Sequence, residues 1–306
     1  MALKIERTAK RIVTALTMTD PNTANSHISA PTAAKSTYRL QLPTSPWRQA
    51  AIDIASGTLA WQSWGMLGWH DVRERYRRST LGPFWITITM GVTVGSIGLI
   101  FGTLFGQDMH EFLPFLAAGN VVWALLSMMI TEGCMTFVGS EQIIRQIKLP
   151  YSMYIFRMIW RNLIIFAHNI WVFVVIVVLF AAWPNNMIWL AIPGLILVLI
   201  NGVWIALILA LFCARFRDIP LIVTSALQLL YLATPIIWLP NSLRGQHLYV
   251  FEYNPLYHLL ELVRAPLLGH SPTLMNWGVG IGLALIGWAF GFIMFTRYRW
   301  RIPYWI

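Results

Sequence analysis

Runs of about twenty or more apolar residues recur between about residues 83 and 296, and they restrict the folds open to this chain. A helix of about 20 residues crosses a hydrocarbon core of roughly 30 Å, so each run is long enough to span a bilayer. Only 11% of the residues are charged, whereas an average soluble domain has about 25%. The mean hydropathy is +0.61. The sequence therefore predicts an all-α integral membrane protein with six transmembrane helices, at about residues 83–106, 112–137, 162–183, 187–212, 219–238 and 275–296.

The distribution of Lys and Arg predicts the orientation of these helices. Cytoplasmic segments of membrane proteins carry an excess of both residues. If the N terminus is inside, all of the 22 Lys and Arg residues except Arg244 and Arg264 fall on one face. We therefore expect both termini in the cytoplasm, and we attribute the net charge of +10 to membrane orientation rather than to nucleic-acid binding. The other face receives four acidic residues, which are Asp108, Glu111, Glu252 and Glu261.

The N-terminal region differs in composition from the rest of the chain. Residues 1–45 are rich in Thr, Ser, Ala, Asn and Pro and contain no long apolar run, so we expect a disordered cytoplasmic tail. Residues 46–306 form the membrane domain. At its start, residues 47–72 carry Trp61 and Trp64 among apolar residues. Because Trp prefers the membrane–water interface, this stretch predicts an amphipathic helix in the headgroup region.

The first predicted span carries a stripe of glycines on one side of the helix. Such a stripe allows another helix to approach closely. The stripe either packs within one subunit or forms a surface that also moves during transport. Its members are Gly91, Gly95, Gly98, Gly102 and Gly106.

The connection between spans two and three has the sequence SEQIIRQIKLPYSMYIFRMIWRN. Ser140 is suited to cap a helix, apolar and polar residues then follow with helical spacing, and Pro150 ends the pattern. This predicts a short amphipathic helix at the cytoplasmic surface, which is either an interfacial connector or a rod that docks into a cytoplasmic partner. Its apolar face carries Ile143, Ile144 and Ile147, and its polar face carries Gln142, Arg145, Gln146 and Lys148.

A second delimited helix is predicted between spans five and six, in YNPLYHLLELVRAPLLG. Asn254 is suited to cap it, Pro255 to its first position and Gly269 to the position past its end. The charge distribution places this helix outside. Glu261 and Arg264 are three residues apart, so they can pair on one face.

Polar residues inside predicted spans are costly and therefore informative. They serve either as hydrogen-bonding groups between helices or as parts of a polar substrate path. They do not form the ladder of carboxylates expected of a proton-coupled carrier, so we expect the energy source to lie elsewhere. The candidates are Glu132, His168, Asn169, Asn201 and Gln228.

No enzyme motif is present in the chain. It contains no GxxxxGK[ST] phosphate loop, no HExxH zinc motif and no DxD pair, so it cannot hydrolyse ATP through a phosphate loop. Cys134 and Cys213 lie in apolar segments without metal-ligand spacing, and they are predicted to be packing residues.

Several separated motifs together resemble a known family. They include HDVRERYRRSTLGPFW before the first span, GNVVWALLSMMITEG in the second, RFRDIPLIVTSALQLLYLATPII into the fifth, and the ending RYRWRIPYWI. With the two helices described above, their order is similar to that in permease subunits of type 2 ATP-binding-cassette exporters, over about residues 58–306. Within that family, FAHN and RIPYWI look most like the permeases that export the O-antigen of lipopolysaccharide.

The resemblance implies a homodimer in the bacterial inner membrane, paired with a separate nucleotide-binding subunit. That partner would bind ATP and Mg²⁺, and no cofactor is expected in this chain. The substrate implied is a polysaccharide linked to a polyprenyl diphosphate. The resemblance identifies the helix with Ile143, Ile144, Arg145, Gln146, Ile147 and Lys148 as the coupling helix to the ATPase subunit, and it assigns a second cytoplasmic contact to Arg215, Arg217 and Asp218.

The resemblance also implies that residues 240–272 form a pair of short re-entrant helices near the external exit. The gate residues would be Tyr253, Asn254, Pro255, Tyr257, Glu261 and Arg264. At the cytoplasmic entrance, four arginines either attract the diphosphate headgroup or only anchor the chain. These are Arg73, Arg75, Arg77 and Arg78.

Two alternatives remain open at this stage. One is an exporter of the same fold for capsule, teichoic acid or a small amphipathic molecule. The other belongs to a different class, a membrane enzyme that modifies a polyprenyl-linked glycan.

Overall fold

The structure, a computed structural model, describes residues 45–77, 82, 84–239 and 252–306. The predicted tail over residues 1–45 therefore lies almost entirely outside the described residues. Every regular element in the described residues is helical. The α-helices are α1 (Pro46–Leu59), α2 (Trp61–Tyr76), α3 (Phe84–Phe105), α4 (Met109–Met135), α5 (Glu141–Gln146), α6 (Tyr151–Phe180), α7 (Ala191–Arg215), α8 (Ile219–Ala233), α9 (Pro255–Leu267), α10 (Leu274–Tyr298) and α11 (Ile302–Trp305), with 3₁₀ turns at Val138–Ser140, Asn186–Leu190 and Arg299–Arg301.

Helix α4 forms the centre of the bundle, in contact with α3, α6, α7, α8 and α9. Its side chains are buried along most of its length, and they include Leu116, Val121 and Met129. Close contact with α7 depends on Gly133, where a Cβ atom would lie 2.9 Å from the Ala206 Cα atom. Small residues therefore bring the two apolar helices together in the way that membrane helices generally pack.

Five helical segments are long and apolar enough to cross a membrane, by length and composition, among the residues that the structure describes. They agree with predicted spans one to four and six. The third was placed wrongly at its start, because its helix begins at Tyr151 rather than near residue 162. The basic residues Arg157 and Arg161 belong to this helix, where ion pairs to neighbouring helices compensate their charge. Sequence pattern alone treated them as part of a loop.

The fifth predicted span, residues 219–238, is shorter than expected. Helix α8 has 15 residues and ends at Ala233, because Pro235 follows in a buried turn. A helix of that length extends only about 22 Å, which is less than the roughly 30 Å of a hydrocarbon core. The six-span count is therefore not established by helix length.

The N-terminal amphipathic stretch folds as two helices rather than one. Both α1 and α2 pack against α6, and the chain bends at Ala60 between them. Gly68 allows a close approach, since a Cβ atom there would lie 2.9 Å from the Trp160 ring and 3.1 Å from the Arg157 carbonyl oxygen. Trp61 faces away from the protein and is 62% exposed.

The glycine stripe of α3 has two different environments. Gly98 and Gly102 face side chains of α4, whereas no atom lies within 4 Å of a Cβ atom built at Gly95. Gly106 ends the helix with a φ of +58°, which is a conformation that glycine adopts easily. Packing within one subunit therefore explains only part of the stripe.

Large apolar side chains on α3 and α8 are exposed in the single chain. They include Leu99 and Leu104 on α3, and Leu221 and Leu229 on α8. In the candidate span of α3, only 11% of the residues are buried. These faces require lipid or another protein surface to cover them.

Helix α9 matches the predicted boundaries. Asn254 accepts a hydrogen bond from the Leu256 amide, Pro255 is the first residue, and Gly269 follows the end with a φ of +83°. The helix packs against α4, α7 and α10, and most of its residues are buried. It is therefore a packed element of the bundle and not a surface helix.

Candidate functional site

The predicted coupling helix lies at one end of the bundle, which we call the basic end and define by α5, residues 215–218 and residues 299–301. The helix is shorter than predicted. It covers Glu141–Gln146, so Ile147 and Lys148 lie beyond it, and the Ser140 side chain makes no capping hydrogen bond. Ser140 instead ends a 3₁₀ turn.

Only part of the apolar face of α5 is available to a partner. Ile143 and Ile144 are half-buried and pack against the core, whereas Ile147 is 55% exposed. A cavity of about 740 Å³ lies beside them, lined by α1, α5, the residues that follow α5 and the C-terminal segment. Among the three isoleucines of the predicted coupling helix, Ile147 is therefore the one whose side chain is exposed.

The C-terminal segment connects the two predicted contacts for an ATPase subunit. An Arg145 Nη atom donates a hydrogen bond to the main-chain oxygen of Ile306. From the second contact, an Arg217 Nη atom donates to the Trp305 carbonyl oxygen at 3.4 Å. Arg215 and Asp218 are exposed beside it. The two contacts thus belong to one surface, with residues 299–306 between them.

Asp53 joins this surface to the start of α6. Its carboxylate, which is fully buried, accepts hydrogen bonds from the amides of Tyr151 at 3.1 Å and Ser152 at 3.0 Å. The Arg299 Nε atom donates to the same carboxylate at 2.9 Å. An anion at a helix N terminus interacts favourably with unpaired amides and with the helix dipole. Asp53 therefore caps a helix almost a hundred residues away in the chain.

Five charged residues form a cluster where α2, α4 and α6 meet, and we call it the arginine–carboxylate cluster. Asp71 accepts hydrogen bonds from two nitrogens of Arg157, one of them Nε at 2.7 Å, and from Arg161 at 3.2 Å. Glu132 accepts from Arg161 at 2.7 Å and from Arg75 at 3.3 Å. Three arginines against two carboxylates leave one positive charge in excess.

A cavity of about 410 Å³ lies between this cluster and α5. Arg157, Arg161 and Glu132 line it on one side, and Ser140 and Ile143 line it on the other. Residues of the arginine–carboxylate cluster and residues at the start of α5 therefore line the same cavity.

A polar groove of about 350 Å³ runs between α3, α4 and α6, at the level of the apolar segments. Arg75 lies at one end of it. Along its length, hydroxyl and amide side chains alternate with apolar ones, and Trp123 contributes an aromatic surface. Its polar residues are Thr89, Thr93, Asn120, Ser127 and Asn169.

Asn120 and Asn169 make this groove unusual for the interior of an apolar bundle. The Tyr231 hydroxyl of α8 donates to the Asn120 Oδ1 atom at 2.9 Å, and the Tyr231 ring lies 5.7 Å from that of Trp123. The Asn169 Oδ1 atom is buried and has no hydrogen-bond partner among the described residues. A buried, unpaired amide oxygen costs free energy unless a ligand or water satisfies it.

The predicted gate is held by a buried ion pair. Arg264 is fully buried, and its Nε atom donates a hydrogen bond to Glu261 at 3.1 Å. Its other guanidinium nitrogens donate to Glu261 and to the Pro235 carbonyl oxygen. The guanidinium group also stacks on the Phe115 ring, 4.3 Å from its centroid. Burial, reinforced by the negative charge of Glu261, raises the pKa of Tyr257 to about 12, so its hydroxyl stays protonated at neutral pH.

Residues 62–268, about two thirds of the chain, match the family described as ABC-2 type transporter. The chain belongs to this family. It is therefore a membrane transporter component.

Three curated relatives carry the name O-antigen export system permease protein RfbA. The relative from Klebsiella pneumoniae is 22% identical over 240 residues, covering 76% of this chain and 90% of its own length. The relative from Myxococcus xanthus is 22% identical over 200 residues, covering 64% of this chain and 76% of its own length. A second Klebsiella pneumoniae protein of the same name is 21% identical over 240 residues.

The predicted intramembrane polar residues of this ABC-2 permease have different environments. Asn201 is fully satisfied, since its Nδ2 atom donates to the Leu197 and Gly280 carbonyl oxygens and its Oδ1 atom accepts from Trp204. His168 bonds to the Ile164 carbonyl oxygen within its own helix at 2.8 Å. The Asn201 bond to Gly280 joins α7 to α10, whereas the His168 bond lies within α6. Asn169 lines the groove, Glu132 belongs to the arginine–carboxylate cluster, and Gln228 is exposed on α8.

The four arginines predicted at the cytoplasmic entrance also differ in their surroundings. Arg75 joins the cluster and lines the groove. Arg73 and Arg77 line a small surface cavity on α2, and Arg78 lies outside the described residues. Only Arg75 of the described three is positioned at the groove.

Several functional candidates of this permease were not found from sequence. Asp53 and Asp71 lie in a stretch that was interpreted as an interfacial helix, and their charges gave no signal of distant partners. Asn120 and Trp123 lie inside an apolar span, where the polar side chain of Asn120 is itself a signal in the sequence.

Proposed function

We propose that this permease exports an O-antigen polysaccharide linked to a polyprenyl diphosphate, from the cytoplasm to the periplasm across the bacterial inner membrane. The polar groove between α3, α4 and α6 carries the proposal. Sugar hydroxyls both donate and accept hydrogen bonds, which suits the mixed amide and hydroxyl lining. Trp123 adds an aromatic face on which sugar rings can stack.

The names of the relatives support a polysaccharide substrate, because the matched proteins are O-antigen export permeases covering most of this chain. An exporter of capsule or teichoic acid would use the same fold. Such polymers also present hydroxyl groups and rings, so the groove does not distinguish them, and the experiment below does.

We infer that two copies of the chain assemble around the path. Residues of α3, α4 and α6 line the groove, and α3 and α8 both pack against α4, which carries Trp123. Apolar side chains on α3 and α8 are exposed in the single chain. A second copy would cover these faces and close the groove. In this arrangement α8 and the turn after it form the fifth of six crossings, and α9 forms the re-entrant gate.

The basic end is proposed to dock a separate ATPase subunit that binds ATP and Mg²⁺. Ile147 would insert into this partner, and the segment that includes Arg217 would form the second contact. This arrangement places both termini in the cytoplasm, together with the tail over residues 1–45.

Deletion of the gene tests the function directly. We expect loss of one class of cell-surface polysaccharide, with the matching lipid-linked polymer accumulating inside the cell. The chemistry of the accumulated polymer identifies O-antigen, capsule or teichoic acid. Complementation with the intact gene is the control. Unchanged surface polysaccharides with no internal polymer would contradict the proposal.

A further inference from the structure

Glu132 is shared between two arginines that come from different helices. Arg75 of α2 donates to one carboxylate oxygen at 3.3 Å, and Arg161 of α6 donates to the other at 2.7 Å. The Glu132 and Arg161 side chains are each 20% exposed, and the Arg75 side chain is 43% exposed. Glu132 is thus an internal counter-ion held between two guanidinium groups that solvent can reach.

This shared carboxylate lies between two cavities. Glu132 and Arg161 line the cavity of about 410 Å³ beside the coupling region. Arg75 lines the polar groove of about 350 Å³. A charged group that passes from the basic end to the groove therefore meets Arg161 and Arg75 in turn.

The cluster has spare capacity to bind an anion. Arg157 is occupied by Asp71 through two nitrogens, whereas Arg161 Nε has no partner among the described residues. Tyr154 lines the same cavity, is 4% exposed, and its hydroxyl is likewise unpaired within the described part of the chain. Buried donors without acceptors are generally satisfied by a bound group or water.

We propose that Arg75 and Arg161 bind a diphosphate-type anion by exchange, with Glu132 as the counter-ion that the anion displaces. A diphosphate carries more than one negative charge and several acceptor oxygens, which suit the fork geometry of guanidinium groups. The single Glu132 carboxylate gives one oxygen to each arginine, so it cannot form a bidentate pair with both guanidinium groups at once. The inference rests on the proposed function in one respect, since a lipid-linked polymer supplies such a headgroup at this end.

Exchange makes opposite predictions for the two kinds of residue. Removing an arginine removes a donor to the anion, whereas removing the charge of Glu132 removes its competitor. A cluster that only holds α2 against α6 would instead lose stability in every variant, without any change in affinity for anions. The sign of the change at Glu132 therefore separates the two roles.

The test uses the full chain in nanodiscs of phosphatidylcholine, titrated with inorganic pyrophosphate. We expect Arg75→Gln and Arg161→Gln to raise the Kd by at least about tenfold, and Glu132→Gln to lower it by about fivefold. Arg48→Gln is the matched control, because Arg48 is exposed on α1 outside the cluster. Its Kd should equal that of the natural chain.

Thermal unfolding of each variant without ligand shows whether it is folded. If an Arg→Gln variant unfolds at a clearly lower temperature than the natural chain, the Arg→Lys variant at the same position replaces it. An unchanged or raised Kd in Glu132→Gln would overturn the exchange. Equal Kd values in all variants, including Arg48→Gln, would show nonspecific attraction and would also overturn it.

A second arm identifies the source of the anion. Polyprenyl diphosphate in the nanodisc should displace pyrophosphate, whereas phosphatidylglycerol should not, if the site recognises a lipid diphosphate. If neither lipid displaces pyrophosphate, and pyrophosphate still depends on Arg75 and Arg161, the site binds a soluble diphosphate. That result would overturn the assignment of a lipid diphosphate as the ligand. Because binding is measured without export, this outcome is independent of the gene-deletion test.

Discussion

Arg299 and Asp53 are 246 positions apart in the chain, yet the Arg299 Nε atom donates to the Asp53 carboxylate at 2.9 Å. Asp53 simultaneously accepts from the first amides of α6. The C-terminal segment in turn contacts Arg145 of the coupling region. Three parts of the chain that are distant in sequence therefore hold the basic end in one arrangement.

Asp53→Ala should destabilise the protein. It removes a fully buried carboxylate and leaves Arg299 and two amides of α6 without their acceptor. The loss of one partner from a buried pair costs about 3 kcal/mol, which lowers Tm by roughly 5 °C or more. Thermal unfolding in detergent measures this. Glu74→Ala is the control, because its pair with His70 is exposed. Equal Tm values for the two variants would contradict the role of Asp53.

Trp123→Ala should reduce export per amount of folded permease by at least about tenfold, because it removes the aromatic surface of the groove, and it should also lower Tm because Trp123 is buried. Trp123→Phe should restore most of the activity, since a smaller ring still stacks. Trp171→Ala provides a matched control on α6, where the ring is 61% exposed. Surface polysaccharide per amount of permease is the measurement. A larger defect in Trp171→Ala than in Trp123→Ala would place the path elsewhere.

Ile147→Asp should abolish association with the ATPase subunit while leaving Tm unchanged. Ile147 is 55% exposed, so a charged side chain there stays in solvent in the permease alone. In the complex, the same charge would be buried in an apolar site of the ATPase subunit, which is costly. Ile143→Asp should lower Tm as well, because Ile143 packs against the core. Co-purification of the two subunits from membranes measures association. Undiminished recovery of the ATPase with Ile147→Asp would show that docking occurs elsewhere.

Thiol labelling should distinguish a packed α9 from an exposed cap. Cys134 and Cys213 are both buried, which gives a low background. A cysteine at Tyr253, which is 81% exposed, should label rapidly with a membrane-impermeant maleimide. A cysteine at Leu260, which is fully buried on α9, should label at least about a hundredfold more slowly, because labelling requires local opening. Similar rates at the two positions would show that α9 is an exposed helix.

The ion pair of α9 should show strong coupling in a double-mutant cycle. Arg264→Met alone leaves the Glu261 carboxylate without its charged partner and should cost about 3 to 5 kcal/mol. Adding Glu261→Gln should recover most of that loss, since no unpaired charge remains. Unfolding of the single and double variants provides the free energies. Additive losses would mean that the pair has no special energetic role.

The boundaries of α9 illustrate how local signals act. The Asn254 side chain caps the first turn, Pro255 fixes φ at the first position, and Gly269 tolerates the positive φ after the end. These residues mark the start and end of the helix without any knowledge of the fold. The start of α6 illustrates the opposite. Arg157 and Arg161 are placed in an apolar helix only because Asp71 and Glu132 from other helices compensate their charges.

The sequence by itself determined the all-helical membrane class, the approximate positions of the long apolar helices and the limits of α9. These depend on hydropathy and on capping, which are properties of neighbouring residues. Only the tertiary structure decided that Asp53 caps α6, that Glu132 is held between two arginines, and that Asn120 and Trp123 share a groove with Asn169. Such contacts join residues that are distant in the chain, and their energies depend on distance and burial that no local pattern encodes.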